Sequence, residues 1–436
     1  MTERMITISS EFAAATEDSA APGFILARPH RTVTATGVAR VFRSAAEATA
    51  ALRSGQVAHI VGALPFAPGA PAALWAPVSV RITESPFPAA TEPRAAAPAA
   101  ESAHAGTVSP ADAISTPDRV SEAGIAYGRP RAGMAGTSHE PVRFEFEEAV
   151  PSPETHVHRV GAAVRLLADR EHPVRKVVLA RAVRARSARQ VQPVDILRRL
   201  VETDPLGNGF LVDLSVAGEP YGGRHLIGSS PEVLVRRSGT EVLSHPLAGS
   251  ARRVPGDAAA DRIAARTLLA SAKDLTEHRY VVDQVGDVLR GRCESVDIPR
   301  NPELTSTPEM WHLGTPITAT VPVTGVSALE LAVALHPTPA VCGTPTAPAA
   351  RLIEALEGDR GFYAGAVGWC DATGDGEWMV SIRCAELSAD RHTLLAHAGG
   401  GIVAQSDPAA ELAETTAKFQ RILGPLGITH HPVAVG

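Results

Sequence analysis

Lysine is almost missing from this chain. Of 41 basic residues only Lys176, Lys273 and Lys418 are lysine, and the other 38 are arginine. A lysine can lose its proton and act as a base, whereas arginine effectively cannot. The three that remain are therefore candidates for positions where arginine cannot serve. Aromatic residues are also scarce, at 4%, which argues against a platform for stacked bases. Excess positive charge is absent too: the net charge is −6 with pI near 6.2, the wrong sign for a nucleic-acid footprint. The four cysteines, Cys293, Cys342, Cys370 and Cys384, form no CxxC pair. That excludes a zinc knuckle and predicts buried thiols in a reduced, intracellular protein.

Long apolar runs are missing as well. The longest uncharged stretch, from Val57 to Val80, carries Pro65, Pro68, Pro71 and Pro77, so it cannot be a spanning helix. The first residues hold no apolar h-region, so no secretory leader is expected, and the expected location is cytoplasmic. GxxxxGK[ST], GxSxG, HExxH and GxGxxG are all absent. HVH at 156–158 and HH at 430–431 lack companion ligands nearby and read as surface histidines.

What is present is enough to fold. With 436 residues and 44% hydrophobic composition, the chain can bury one large core or two modest ones. Residues 1–85 read as a strand-rich region packing on the core, with one helix near Ser44–Ser54. Residues 86–140, rich in Ala, Pro, Ser and Thr, read as a flexible linker or surface excursion. Residues 141–436 read as the ordered core of the chain, which would carry any catalytic site. Helices are expected over Pro153–Ala168, VDILRRLVET and Asp257–Arg290, the last broken near Lys273. VRKVVLARAVRA, GFLVDLSV, HLIGSS and EVLVRRS read as strands. Residues 301–350 hold no Lys or Arg and are expected at the centre of the fold. YAGAVGWCD, GEWMVSIRCAEL and TLLAHAGGGIV read as three adjacent antiparallel strands. Asp407–Pro408 is an N-cap with proline at the first helical position. The mixture predicts an α+β fold, without a βαβ series.

Four features could carry chemistry. Glu411, Glu414 and Lys418 share one face of the last helix, after the glycine run Gly399–Gly401. Asp274 and Glu277 lie one turn apart, and two such carboxylate pairs brought together would suit a hard cation. Lys176 lies within an apolar strand, where desolvation favours a neutral amine. Glu232 opens another strand, where an apolar setting would keep a carboxyl protonated. Against these stand the plain readings of a solvated charged face, a surface acidic pair and a strand-edge lysine.

PLAGSARR (246–253), KDLTEH (273–278), WHLGTPI (311–317), LHPTPAVCGTPT (335–346), GAVGWCDATGDGEWMVSIRCAEL (365–387) and AGGGIVAQSDPAAELAETTAK (398–418) resemble the chorismate-utilising enzymes, within them the isochorismate synthases. The likeness covers about residues 142–425 in order, and all three lysines fall inside matched blocks. It implies large antiparallel sheets in a two-layer sandwich core flanked by helices. Lys176 stands where isochorismate and salicylate synthases carry a lysine, and where the ammonia-using members typically carry glutamine. Ala248 stands where aminodeoxychorismate synthases have a nucleophilic lysine. Gly314 is the residue salicylate synthases have, where isochorismate synthases often have alanine.

The resemblance implies an isomerase acting on chorismate with Mg²⁺. Glu277 and Glu414 would hold the metal, with Asp274 and Glu411 orienting its waters. Lys176 would activate water for attack at C2, and Glu232 would protonate the departing C4 hydroxyl. Arg383 would grip the enolpyruvyl carboxylate. Gly249, Ser250, Gly399, Gly401 and Lys418 would hold the remaining oxygens, with His312 beside the ring carboxylate and Ala340 as a wall. Trp311, Trp369 and Trp378 are expected in the core. Chorismate and isochorismate are the expected partners. No nucleic acid, membrane or glutamine amidotransferase subunit is expected, and the chain is expected to be a monomer. A salicylate synthase and a catalytically degenerate chorismate-binding subunit are the alternatives. The consuming pathway, whether for menaquinone, a catechol siderophore or a salicylate-derived metabolite, is left open.

Overall fold

The computed structural model describes residues 4–7, 21–84 and 142–428. Among them, two large antiparallel sheets share one core. The eleven-stranded sheet runs Arg4–Thr7, Ser79–Thr83, Arg31–Thr36, Phe24–Arg28, Gly209–Asp213, His225–Gly228, Cys384–Leu387, Thr393–Ile402 and Lys176–Arg186, and both Glu145–Val150 and Gly343–Thr344 pair with the last of these. The nine-stranded sheet runs Ser295–Asp297, Ile317–Thr320, Glu241–His245, Val233–Ser238, Gly376–Val380, Ala366–Asp371, His59–Leu64, Ala73–Ala76 and Arg40–Phe42. A small third sheet joins Leu247–Arg252, Met310–Gly314 and Glu303–Ser306. The α+β expectation holds. Residues 21–84 supply strands to both large sheets, and the 86–140 stretch lies outside the described residues.

The larger sheet is buried on both faces. Successive side chains point to opposite sides of a strand. Phe24, Leu26, Phe210 and Val212 enter the core shared by the sheets. Ile25, Ala27 and Leu211 enter a second core with Ile196, Leu197, Leu200, Phe419, Ile422 and Leu423 of two covering helices. Continuous apolar runs such as FILA are what a doubly covered strand needs.

Several expectations need correction. YAGAVGWCD, GEWMVSIRCAEL and TLLAHAGGGIV are not three neighbours in one sheet. GEWMVSIRCAEL is two strands, Gly376–Val380 in the nine-stranded sheet and Cys384–Leu387 in the eleven-stranded one. The chain crosses between sheets at Ser381–Arg383, where Arg383 is left-handed with φ 51°. GFLVDLSV stops at Asp213, whose Oδ1 accepts from Ser215 N at 2.9 Å and opens a short 3₁₀ turn. Residues 301–350 are only partly central: Glu303–Ser306 lies at the edge of its sheet and Val323 is exposed, whereas the helix Ala328–Leu335 buries Ala328, Leu329, Leu331, Ala332 and Leu335. That helix was missed, although Ser327 and Glu330 cap it reciprocally, a pattern readable from S-x-x-E. His156 is buried, taking the core position expected of Val157 at the helical spacing of Pro153, Val160, Ala163 and Leu167. His158 is exposed, and HH at 430–431 lies outside the described residues. Trp369 and Trp378 are core residues. Trp311 is not: it donates to Asp261 Oδ1 at 3.0 Å, with the Arg253 guanidinium 4.2 Å above its ring.

Candidate active site

Each of the three lysines pairs with a different glutamate. Lys176, fully buried at the start of its strand, has Nζ 3.0 Å from Glu277 Oε1, an ion-pair contact without hydrogen-bond alignment. Lys273 donates to Glu411 at 3.0 Å. Lys418 donates to Glu414 Oε1 at 2.6 Å and to Gly399 O at 2.9 Å. Glu277 and Asp274 sit in the first two turns of Ala272–Arg290, a helix capped by Ser271. Glu411, Glu414 and Lys418 sit on Pro408–Leu423, capped by Asp407 as expected. The helix face read as possibly solvated is turned inward: Glu411 is 1% exposed.

The glycines make this packing possible. Gly401 pairs with Val178 across the sheet. A Cβ there would meet Glu277 Oε1 at 2.2 Å and Lys176 Cε at 3.0 Å. Gly249 is left-handed at φ 77° and lies against Asp274, whose Cβ is 3.0 Å from where a side chain would begin. The Leu247–Arg252 strand shifts register between Leu247 and Ser250. Ser250 then faces His312 across the pair and donates its hydroxyl to Glu414 Oε1 at 2.9 Å.

These elements enclose a cavity of about 640 Å³, its open mouth included. Of the residues expected in the site, Glu232, Gly249, Ser250, Glu277, His312, Ala340, Arg383, Gly399, Gly401, Glu414 and Lys418 line it. Lys176, Asp274 and Glu411 do not reach its wall and stand directly behind it. Among the described residues no three His, Cys, Asp or Glu side chains converge as a metal cage. Three carboxyl side chains stand on the wall: Glu232, whose burial favours the neutral form, and the pair Glu277 and Glu414. Both bonds to Glu414 fall on Oε1. The donor set therefore fits a hard cation completed by substrate oxygens and water, the usual habit of Mg²⁺.

Electrostatics divides the acids. Burial pushes the Glu232 carboxyl up to about 7, against opposing pulls from the Leu247 backbone, Lys176, Arg383 and Lys418. Burial and then the Glu414 charge raise Glu411 to about 7, with Lys273 opposing. Asp274 is raised by burial, and the Ser271 hydroxyl works against this. For Glu414, burial is outweighed by Lys418 and the Ser250 hydroxyl, which hold it below the usual range. His312 is held neutral, chiefly by burial and then by Arg383. Arg383 Nη2 lies 3.5 Å from His312 Nε2, and Nη1 is buried with no partner.

The sequence reading missed Tyr363 and His397, which also line the cavity. Their rings stack at 4.7 Å and 15°. His397 had a signal: it precedes Gly399 by two positions on one strand, so it shares that face. His278 and Thr315 were also missed. His278 Nδ1 is 3.2 Å from Ala248 O and Nε2 is 2.7 Å from Thr315 Oγ1. A carbonyl only accepts, so Nδ1 carries the proton and Nε2 accepts from Thr315. This holds the Leu247–Ser250 strand against the helix. Gly314 does not line the cavity; a Cβ there would meet His245 Nε2 at 2.6 Å. Its lack of a side chain is accounted for by this packing against His245 and Leu247.

A fold of two antiparallel sheets around a cavity with paired lysines and glutamates defines a class, and similarity agrees. Residues 133–427 match the family of chorismate binding enzymes, and the chain belongs to it. It is 44% identical over 409 residues to the MenF protein of Mycobacterium tuberculosis, covering 93% of this chain and 96% of that one. It is 44% identical over 303 residues to the isochorismate synthase DhbC of Bacillus subtilis, covering 66% of this chain and 75% of that one. The solved structure of a DhbC from Bacillus anthracis superposes with TM-score 0.74 at 33% identity, covering 94% of this chain and 96% of that one. No helix among the described residues is long and apolar enough to cross a membrane.

Proposed function

We propose that this chain is an isochorismate synthase. It adds water to C2 of chorismate while the ring double bonds shift and the C4 hydroxyl leaves as water. The observation that carries this reading is Glu232: a carboxyl pushed up to about 7 by burial, in the wall of a cavity with Lys176 directly behind it. A proton donor and an amine around one cavity are the two partners that the exchange needs. The 44% identity to relatives named isochorismate synthases supports the same reaction.

Lys176, in its neutral form, takes a proton from the attacking water. Using it this way requires its contact with Glu277 to open. Glu232, protonated, gives its proton to the C4 oxygen as the C–O bond breaks. Each partner ends in the other protonation state, so the reaction also runs backwards. Arg383, with one buried nitrogen unpartnered, grips the enolpyruvyl carboxylate, and the Tyr363 hydroxyl faces the same cavity. A planar guanidinium suits a carboxylate. Neutral His312 adds no charge near the ring. Glu277 and Glu414 would hold Mg²⁺, with Asp274 and Glu411 behind them orienting its waters. When bound, the ion neutralises and anchors the ring carboxylate. Lys418 spends two donors on Glu414 and Gly399, which leaves one for substrate. The setting that fits is the cytoplasm. The reaction needs no amidotransferase subunit, because Lys176 stands where ammonia-using members carry glutamine, and the chain is read as acting as a monomer.

The test is incubation of the purified protein with chorismate, with and without Mg²⁺, resolving products by chromatography while assaying pyruvate. Mg²⁺-dependent isochorismate without matching pyruvate is expected. Salicylate with equal pyruvate would replace this reading by a salicylate synthase. No turnover would favour a degenerate binding subunit.

A further inference from the structure

His397 carries a role that neither the fold nor the acid–base pair requires. It sits on Thr393–Ile402 two residues before Gly399 and four before Gly401, on the face that lines the cavity. Its ring lies 4.7 Å from the Tyr363 ring with 15° between planes, a stacked contact. Burial, and then the Arg360 guanidinium, hold the imidazole neutral, its pKa lowered to about 4. The Tyr363 hydroxyl is neutral too, its pKa raised by burial. That hydroxyl rests over Gly399, 2.9 Å from where a Cβ would stand. Arg383, whose Nη1 is buried with no partner, lines the same cavity and is within electrostatic reach of Tyr363.

A tyrosine has only two side-chain torsions, but a cavity leaves its ring free to swing unless something backs it. The bare Cα of Gly399 opens room for the hydroxyl, and the His397 ring closes the other direction. Stacked rings attract beyond the effect of the area they bury, which favours the rotamer that keeps Tyr363 against His397.

We propose that His397 is a positioning residue: by stacking on Tyr363 it holds the phenol hydroxyl beside Arg383, so that the two together bind a carboxylate of the substrate. This rests on the isochorismate synthase reading for the identity of the substrate. It acts through the ring plane and does not need the imidazole nitrogens.

The test compares the full-length wild type with His397→Ala, His397→Phe, Tyr363→Phe and the double variant Tyr363→Phe/His397→Ala. The readouts are KM and kcat for chorismate, with thermal unfolding as a control on the fold. His397→Ala should raise KM about 5–10-fold while kcat changes less than twofold, the split expected when ground-state and transition-state binding fall together. His397→Phe keeps a stacking ring and should recover most of the loss. In the Tyr363→Phe background, His397→Ala should add little, since two changes acting through one hydroxyl are not additive. Unchanged KM in His397→Ala would overturn the proposal. So would a Phe variant as impaired as the Ala variant, or full additivity in the double variant. Failure of the underlying reading looks different: the wild type itself would not form isochorismate.

Discussion

The two ends of the cavity are built on opposite principles. At one end, three lysines face three glutamates within ion-pair distance, with Asp274 behind them. At the other, Tyr363, His397 and His312 are all held neutral, and Arg383 is the charged side chain on the wall with them. Buried ions need partners, so at the charged end each lysine is already paired with a glutamate, and a ligand has to trade against those pairs. The neutral end has no such internal pairing, and Arg383 keeps a buried nitrogen unused. On the proposed function, one end exchanges ions and the other receives a carboxylate without rearrangement.

The largest effects should come from the acid and the base. Lys176→Ala and Glu232→Gln should each lower kcat by about 10²–10⁴, the usual contribution of a positioned proton-transfer group, with circular dichroism unchanged. Near-wild-type rates in either variant would remove the acid–base assignment. Next comes the glycine beneath the charged end. Gly401→Ala puts a methyl 2.2 Å from Glu277 Oε1, so it should push the Glu277 carboxylate from its place on the cavity wall and cost about tenfold or more in kcat. The matching change at the neutral end, Gly399→Ala, meets the Tyr363 hydroxyl at 2.9 Å and Val178 Cγ1 at 3.2 Å, with no contact as short as that at Gly401. It should raise KM more than it lowers kcat, and steady-state kinetics on the pair would break the comparison if the two behaved alike.

A smaller effect concerns stability. Burial raises Glu232 from 4.5 to about 7 in the folded state, so the folded chain binds this proton more tightly than the unfolded one. Stability from this group is therefore full below about 4.5 and is lost as pH rises through about 7. The loss is on the order of 3 kcal/mol at most. Glu232→Gln removes the charge, so its melting temperature should gain on wild type between pH 5 and about 8; a constant difference across that range would contradict the assignment. The smallest effect is expected outside both ends. Gly314→Ala should cost about 1–3 kcal/mol through overpacking against His245 and leave the product unchanged. A shift toward salicylate would return Gly314 to the site.

The charged end was legible in the sequence because lysine is so rare here. Three lysines in 436 residues marked three blocks, and helical spacing placed Glu411, Glu414 and Lys418 together. The pairing itself was not legible, since Lys273 was only a marker until it met Glu411. The neutral end left a weaker trace. Tyrosine and histidine serve cores as often as sites, and the face that His397 shares with Gly399 was the only hint. The crossing at Ser381–Arg383 was hidden because alternation continues on both sides of it, and only the left-handed φ of Arg383 separates the two strands.

The most direct measurement is turnover of chorismate with Mg²⁺ in ¹⁸O-labelled water, read by mass spectrometry alongside a pyruvate assay. Water activated by Lys176 and loss of the C4 hydroxyl to Glu232 predict isochorismate carrying one ¹⁸O at C2, without pyruvate. Unlabelled isochorismate would mean that the hydroxyl migrates within the substrate, and would contradict the roles given to both residues.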